Sequence, residues 1–418
     1  MPKPRLATLL VLLGLFACAT PTQAPPVAPA PPVAESAPPA PPPPPPAPPP
    51  VVPVPFDEAV AKAANALFSG AKVAPDARRV VLIDPLIDGM TGEQTQATRT
   101  MESRITQIVH ERYPQFDVQP FSVDNLKKSP LILVGTFTGV NKDGKTEGSR
   151  EAFRICLALA DLDNRVLVGK GTARAKPENV DLTPLPYFRD SPAWGLDPVT
   201  EGYIKTCQAS KPGDPMDPLY VARVVSAASV QQAIAAYNAG RYRESLNYYA
   251  VAMRAAAGDE LRILNGVYLA NIKLGQKHAA QLVFGRIVDF GLGRKRLAVK
   301  FLFKPGSTAF WPDPKVSGIY PVWIKEIAAH SEQQQACLEI IGHTSHSGPE
   351  PLNERISLLR AELIKTKLET DAPALRARTI ANGVGSRENL IGNGQDNVTD
   401  LLDRRVSFRV IDCAAKTG

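Results

Sequence analysis

The sequence predicts a multidomain α+β protein behind a proline-rich stalk: an N-terminal α/β domain, short all-α hairpins, and a C-terminal sheet with helices. Three observations predict this. Nineteen of the 41 prolines fall between positions 21 and 55. Apolar residues are spaced helically from 217 to 292. On either side, in 56–216 and 299–413, strand-type runs alternate with helical stripes. Hydrophobic residues make up 44% and charged residues 21% of the 418 positions, the composition of a folded chain rather than a disordered one.

Lys3 and Arg5 precede an apolar run from Leu6 to Ala17. A membrane-spanning helix needs about 20 apolar residues, so residues 1–17 read as a signal peptide. The run ends in Leu15-Phe16-Ala17-Cys18, which resembles the lipobox of bacterial lipoproteins. That resemblance implies cleavage before Cys18 and acyl chains on its thiol. With Ala19 next rather than aspartate, it also implies an outer-membrane anchor facing the periplasm. Residues 18–55 are then a lipid-anchored linker. Its prolines fix φ and remove amide donors, which favours polyproline II. At about 3.1 Å per residue such a segment reaches on the order of 100 Å.

The chain has five cysteines. An odd number in an exported protein leaves one thiol unpaired. With lipid on Cys18, the other four fall two and two into separate regions, which suggests the bridges Cys156–Cys207 and Cys337–Cys413. The formal net charge of +7 is too weak to argue for nucleic acid. The densest basic cluster, Arg294-Lys295-Arg296 with Lys300, reads as a solvated face.

Within 56–216, Glu58 to Phe68 and Thr95 to Arg112 have helical spacing. Arg79 to Asp88 and Leu131 to Val140 are strand-type runs. Phe153 to Asp161 and Arg165 to Thr172 read as a hairpin around Asp163-Asn164. The order is loosely similar to the small α/β domains of periplasmic lipoproteins of the curli-assembly type, a likeness of fold alone. Asp84, Asp88, Asp161 and Asp163 read as strand-end and turn carboxylates rather than a metal site.

Within 217–292, Ala236 to Tyr242 with Ser245, Tyr249 and Ala252 resembles half of a tetratricopeptide repeat. Gly275, Ala280 and Phe284 match Gly240, Ser245 and Tyr249 35 positions later. Two repeats are too few to stand alone and must pack on a neighbour. The family offers grooves to peptides or proteins, so a protein partner here is one reading and a purely structural hairpin the other.

Within 299–413, Val299 to Phe303 reads as a strand, Pro321 to His330 as a helix and Cys337 to Ile341 as a second strand. Asn353 to Leu368 reads as an amphipathic helix with Ile356, Leu359 and Leu363 on one stripe. A turn at Gly383-Val384-Gly385 and a last strand after Asp403-Arg404-Arg405-Val406 follow. This stretch resembles the OmpA-like carboxy-terminal domain of peptidoglycan-associated proteins. The matching pieces are the Phe301-Leu302-Phe303 strand, Gly342-His343-Thr344, Gly348, Asn353, Ser357, Arg360-Ala361, the Gly383-x-Gly385 turn and the Asp-Arg-Arg-Val terminus. The resemblance implies a mixed four-stranded sheet backed by helices. It also implies non-covalent binding of the peptidoglycan stem peptide, chiefly its diaminopimelate, by Thr344, Ser345, Asn353, Arg360 and Arg404. In the family an aspartate directly after Gly-His-Thr meets the ligand's ammonium, and the arginine 15 positions on meets its carboxylate. Here the arginine is Arg360, but Ser345 holds the aspartate position. A charged hydrogen bond is worth about 1.5–3 kcal/mol against about 0.5–1.5 for a neutral one, so binding is expected to weaken by roughly tenfold or more unless Glu350 or Asp403 supplies the charge.

A catalytic reading rests on His343 and His346 around Ser345. With no third ligand at suitable spacing and no Gly-x-Ser-x-Gly elbow, the residues point away from an enzyme, and no cofactor or metal is assigned. The expected function is a non-catalytic outer-membrane lipoprotein that tethers lipid to the cell wall. The rival is a periplasmic assembly scaffold whose wall domain only positions it.

Overall fold

The computed structural model describes residues 52–73, 78–146, 150–255, 260–390, 392, 394 and 398–413. The signal peptide, Cys18 and all but the last residues of the proline-rich linker lie outside them. Residues 51–418 form one compact unit.

Helix α1 (Phe56–Ser69) is followed by β1 (Arg79–Ile83), β2 (Ile87–Asp88), α2 (Gln96–Arg112), β3 (Phe116–Gln119) and the one-turn α3 (Val123–Leu126). Three long strands follow, β4 (Leu131–Val140), β5 (Ala152–Asp161) and β6 (Val166–Ala175). They make a six-stranded sheet of order β3-β1-β4-β5-β6, with β2 pairing on β4. β1 runs parallel to β3 and β4, and β4-β5-β6 is an antiparallel meander. Every residue of β4 is buried, because α1 and α2 cover one face and α5 and α6, below, the other. Thr95 closes a capping box at the start of α2.

Next come α4 (Pro186–Asp190), α5 (Pro198–Gln208), α6 (Pro218–Asn238), α7 (Tyr242–Ala255), α8 (Leu261–Lys273) and α9 (Lys277–Gly293). Asp197 and Asp217 cap α5 and α6, each followed by proline at the first helical position. The matched positions Ser245, Tyr249, Ala280 and Phe284 are all buried. The chain ends with β7 (Arg296–Leu297), α10 (Pro314–Ser317), α11 (Tyr320–Gln333), β8 (Cys337–Gly342), α12 (Glu350–Asp371), a 3-10 turn at Pro373–Ala377, β9 (Thr379–Gly383), α13 (Val398–Asp403) and β10 (Val406–Ile411). These strands form a mixed sheet of order β7-β10-β8-β9, in which β8 and β9 are parallel and the other pairs antiparallel. Among the described residues no helix is long and apolar enough to cross a membrane.

Both cysteine pairs are bonded, Cys156 to Cys207 and Cys337 to Cys413. The second closes because β8 and β10 are antiparallel neighbours with Cys337 opposite Ile411.

Four expectations need correction. The regions split in sequence at 216/217 are continuous in packing. The first half of α6 (Tyr220, Val224, Ala228) belongs to the core under the large sheet. Its second half (Val230, Ile234, Tyr237) belongs to a core that runs through the helices into the C-terminal sheet. Phe284 of α9 stacks on Trp323 of α11 at 5.3 Å, and Phe301 touches both Trp323 and Phe408.

The expected strand Val299–Phe303 is not a ladder strand. Its amides go to separate acceptors, Lys300 N to the Pro192 carbonyl at 2.8 Å and Phe303 N to the Arg404 carbonyl at 3.1 Å. The edge strand is instead Arg296–Leu297. Lys300, expected in solvent, is 3% exposed. Its ammonium donates to Glu93 and to the Phe188 carbonyl and sits 4.2 Å from the centre of the Trp194 ring. On α12 the buried stripe is Asn353, Ser357, Arg360, Ala361, Ile364 and Leu368, while Leu352 and Leu359 are exposed. The polar residues face inward because they bond the loops around them.

Candidate functional site

The site expected from the sequence lies where β8 ends. Gly342 is required there: a Cβ would run into the Ser357 carbonyl of α12. The chain then turns through His343, Thr344 and Ser345. Thr344 N donates to the Gly385 carbonyl at 2.9 Å, and Val384 N donates to the Gly342 carbonyl at 3.1 Å. Gly385 N donates to Ser357 Oγ at 3.0 Å. Gly385 holds φ +56° against Glu350, a left-handed conformation that suits glycine. Segments far apart in sequence are thus knitted together by main-chain bonds.

Arg360 enters this knot from α12. Its Nη1 donates to the His343 carbonyl, its Nε to Ser307 O and its Nη2 to Lys304 O, each at 2.9 Å. The guanidinium also lies 5.1 Å from the centre of the Phe303 ring. Burial, with Arg404 alongside, pulls its pKa down to about 9, so it stays charged at neutral pH. Three of its five N–H groups are bound to main-chain carbonyls, leaving two. Arg404 Nε points at the Phe303 carbonyl, 3.4 Å away. Asn353 Nδ2 donates to the Gly348 carbonyl at 3.4 Å, and Ser345 Oγ shares a hydrogen bond with Ser347 Oγ at 2.8 Å.

All five expected ligand residues are buried: Thr344 4%, Ser345 2%, Asn353 5%, Arg360 1% and Arg404 3% exposed. The structure brings Arg360, Arg404, Asn353 and the Thr344–Ser345 turn to one end of the sheet. Neither candidate substitute acid is turned toward Ser345. Glu350 accepts from Ser386 N at 3.0 Å and pairs with Arg387. Asp403 accepts from Leu390 N at 2.6 Å and Gly392 N at 2.7 Å. The Pro305-Gly306-Ser307 turn is legible in the sequence, but not that the turn wraps Arg360. It contributes main-chain carbonyls, which carry no side-chain signature.

His343 is 1% exposed and shares a hydrogen bond with Ser407 through Nε2 at 2.8 Å. Burial, with Arg405 and Arg409 nearby, holds its pKa well below the usual range. Among the described residues no group of three His, Cys, Asp or Glu side chains comes together to hold a metal. Asp88 accepts from Met90 N and Thr91 N, and Asp161 from Asp163 N and Asn164 N, as turn carboxylates do.

Residues 139–146 read GVNKDGKT, the Gly-x4-Gly-Lys-Thr spacing of a phosphate-binding loop. The segment forms the connection between antiparallel β4 and β5. Asn141 Oδ1 accepts from Asp143 N and Lys145 N, and among the described residues the next element is β5, not a helix. The strand–loop–helix context the chemistry needs is absent, so the match is coincidental.

No protein-family model and no curated protein matches the chain. Solved structures do. The peptidoglycan-associated lipoprotein from Burkholderia pseudomallei is 18% identical over 27% of this chain and 89% of that one, with a TM-score of 0.24. The cell wall anchor of the T6SS from Pseudomonas aeruginosa is 17% identical over 31% and 96%, with a TM-score of 0.23. The C-terminal domain of Helicobacter pylori MotB is 17% identical over 28% and 89%, with a TM-score of 0.22.

Proposed function

We propose that the protein is a non-catalytic component of the bacterial envelope whose C-terminal sheet region binds the stem peptide of peptidoglycan. We also propose that Cys18 carries the acyl anchor that ties this contact to the outer membrane. One observation carries the reading. Arg360, Asn353, Arg404 and the Gly342–Ser345 turn, dispersed over sixty positions, meet at one end of β8. The fixed guanidinium keeps two N–H groups for a carboxylate. The missing charge at Ser345 makes this binding weak, because serine meets an ammonium with a neutral acceptor.

The test is sedimentation with isolated sacculi. Ser345→Asp restores the carboxylate and should raise retention by about tenfold. No gain over the parent, with the variant folded, refutes the pocket. Incorporation of radiolabelled palmitate, lost in Cys18→Ala, tests the anchor separately.

The second reading is a scaffold for an envelope assembly, with a protein partner at the helical pairs. The apolar Val251 and Leu282, exposed on α7 and α9, favour it. Deletion of 217–292 would not test it cleanly, because those helices share a core with the C-terminal sheet. Val251→Asp and Leu282→Asp remove the surface and leave that core intact.

A further inference from the structure

Along β8 and β10, successive side chains alternate between the two faces of the sheet. Leu338, Ile340, Val406 and Phe408 enter the core with α12. The intervening Ile341, His343, Ser407 and Arg409 floor a cleft of about 510 Å³ on the other face. The turn after β2 and the Trp194–Leu196 segment form its far wall. This volume is within the range, about 300–1,000 Å³, of small-molecule sites.

The cleft is strongly one-signed. Among the described residues, Lys295, Arg296, Arg387, Arg405 and Arg409 line it against a single acid, Glu388. Three of these cations are engaged: Arg387 with Glu354, Arg409 with Glu339 at 2.7 Å and Arg405 with Asp403 at 3.6 Å. Lys295 and Arg296 have no ion-pair partner among the described residues. Burial and the positive charge of Arg296 both depress Arg405, to about 10, so the two guanidiniums repel one another. Lys295 holds φ +59° just past the end of α9, where its amide donates to the Leu292 carbonyl in a left-handed helix stop that fixes the side chain at the cleft rim.

Polar groups are also left over. The Trp194 indole N–H and the side-chain amide of Asn389 are buried with no hydrogen-bond partner, and the nearest acid to the unbonded His343 Nδ1 is Glu388 at 3.7 Å. Trp194 is 6% and His343 1% exposed. Leaving such groups unpaired costs free energy that a ligand recovers. Trp194 and Ile341 add apolar surface beside the cations.

We infer that this cleft binds a small organic anion, a carboxylate or phosphate on an apolar body, with Lys295 and Arg296 meeting the charge and Trp194 and Ile341 the body. The site is distinct from the proposed stem-peptide pocket, since Arg360 reaches in from α12 on the opposite side of the sheet, with His343 bordering both. It also gives the basic cluster at 294–296 a role beyond solvation.

The probe is anilinonaphthalene sulfonate, a sulfonate on an aromatic body, titrated into the full chain and followed by fluorescence. The expected result is saturable one-to-one binding that weakens with salt and is displaced by inorganic phosphate. Arg296→Glu and the double variant Lys295→Glu/Arg296→Glu should bind about tenfold or more weakly. Both side chains are exposed, so the melting temperature should not change. Equal binding by these variants overturns the inference. So does binding of neutral N-phenylnaphthylamine as tight as that of the sulfonate, because the cations would then contribute nothing.

Discussion

Replacing Lys300 with methionine tests how the N-terminal region is joined to the C-terminal one. Lys300 sits in the stretch between β7 and α10, and Glu93 precedes α2. The two form a buried ion pair, 3% and 1% exposed at their side chains. Glu93 Oε2 already lacks a partner. Removing the ammonium leaves a buried carboxylate with neither charge nor donor, which costs about 3–5 kcal/mol. The cost depends on pH. Burial raises the Glu93 carboxyl to about 7 against the pull of Lys300, and losing Lys300 raises it further. A carboxyl raised in the folded state contributes stability that is present below its unfolded pKa, about 4.5, and lost as pH rises through the folded value. At pH 5 the variant's Glu93 is protonated, and the deficit falls to that of lost hydrogen bonds, about 1–3 kcal/mol. Urea unfolding followed by near-ultraviolet circular dichroism at pH 5 and pH 8 measures both. Lys300→Met with Glu93→Gln should recover most of the loss at pH 8. A single variant within about 1 kcal/mol of the parent at pH 8, or a deficit equal at both pH values, refutes the reasoning.

Two further outcomes follow from buried groups. Burial raises Asp84 to about 6, while Tyr220 donates to it at 2.7 Å. By the same sign rule its stabilisation is complete below about pH 4 and lost as pH rises through 6. Asp84→Asn should therefore flatten the fall in stability across that window by about 3 kcal/mol, and an unchanged pH profile counts against it. Gly342→Ala should push α12 away from β8 at the Ser357 carbonyl. The expected destabilisation is about 1–3 kcal/mol, read as a lower melting temperature, and an unshifted melt would show that the approach is not tight.

Helices and strands with strong periodicity were legible in the sequence. Glu58 to Phe68, Thr95 to Arg112 and Leu131 to Val140 fall inside α1, the capped α2 and β4. Both cysteine pairings were legible too, since two cysteines fell in each region. The buried face of α12 was not. Periodicity selects Ile356, Leu359 and Leu363, yet the helix buries Asn353, Ser357 and Arg360. Hydropathy ranks these three as outward-facing, and only the carbonyls and amides waiting for them make burial favourable. Val299 to Phe303 misled for a related reason. An apolar run is equally suited to a strand and to a segment plugged between two bodies, and the location of its hydrogen-bond partners decides which.

The strongly periodic helices and strands and the spacing of Gly342-His343-Thr344 before Arg360 are local properties of the chain, and the sequence alone determined them; the disulfide pairing followed from how the cysteines divide between regions. Tertiary structure decided what Arg360 is bonded to, that Lys300 is buried on Glu93, that three sequence regions share one core, and that a cationic cleft opens behind β8 and β10. Each of these depends on main-chain carbonyls or charges brought close by folding from more than fifty positions away. No periodicity or motif in a linear sequence records such a meeting.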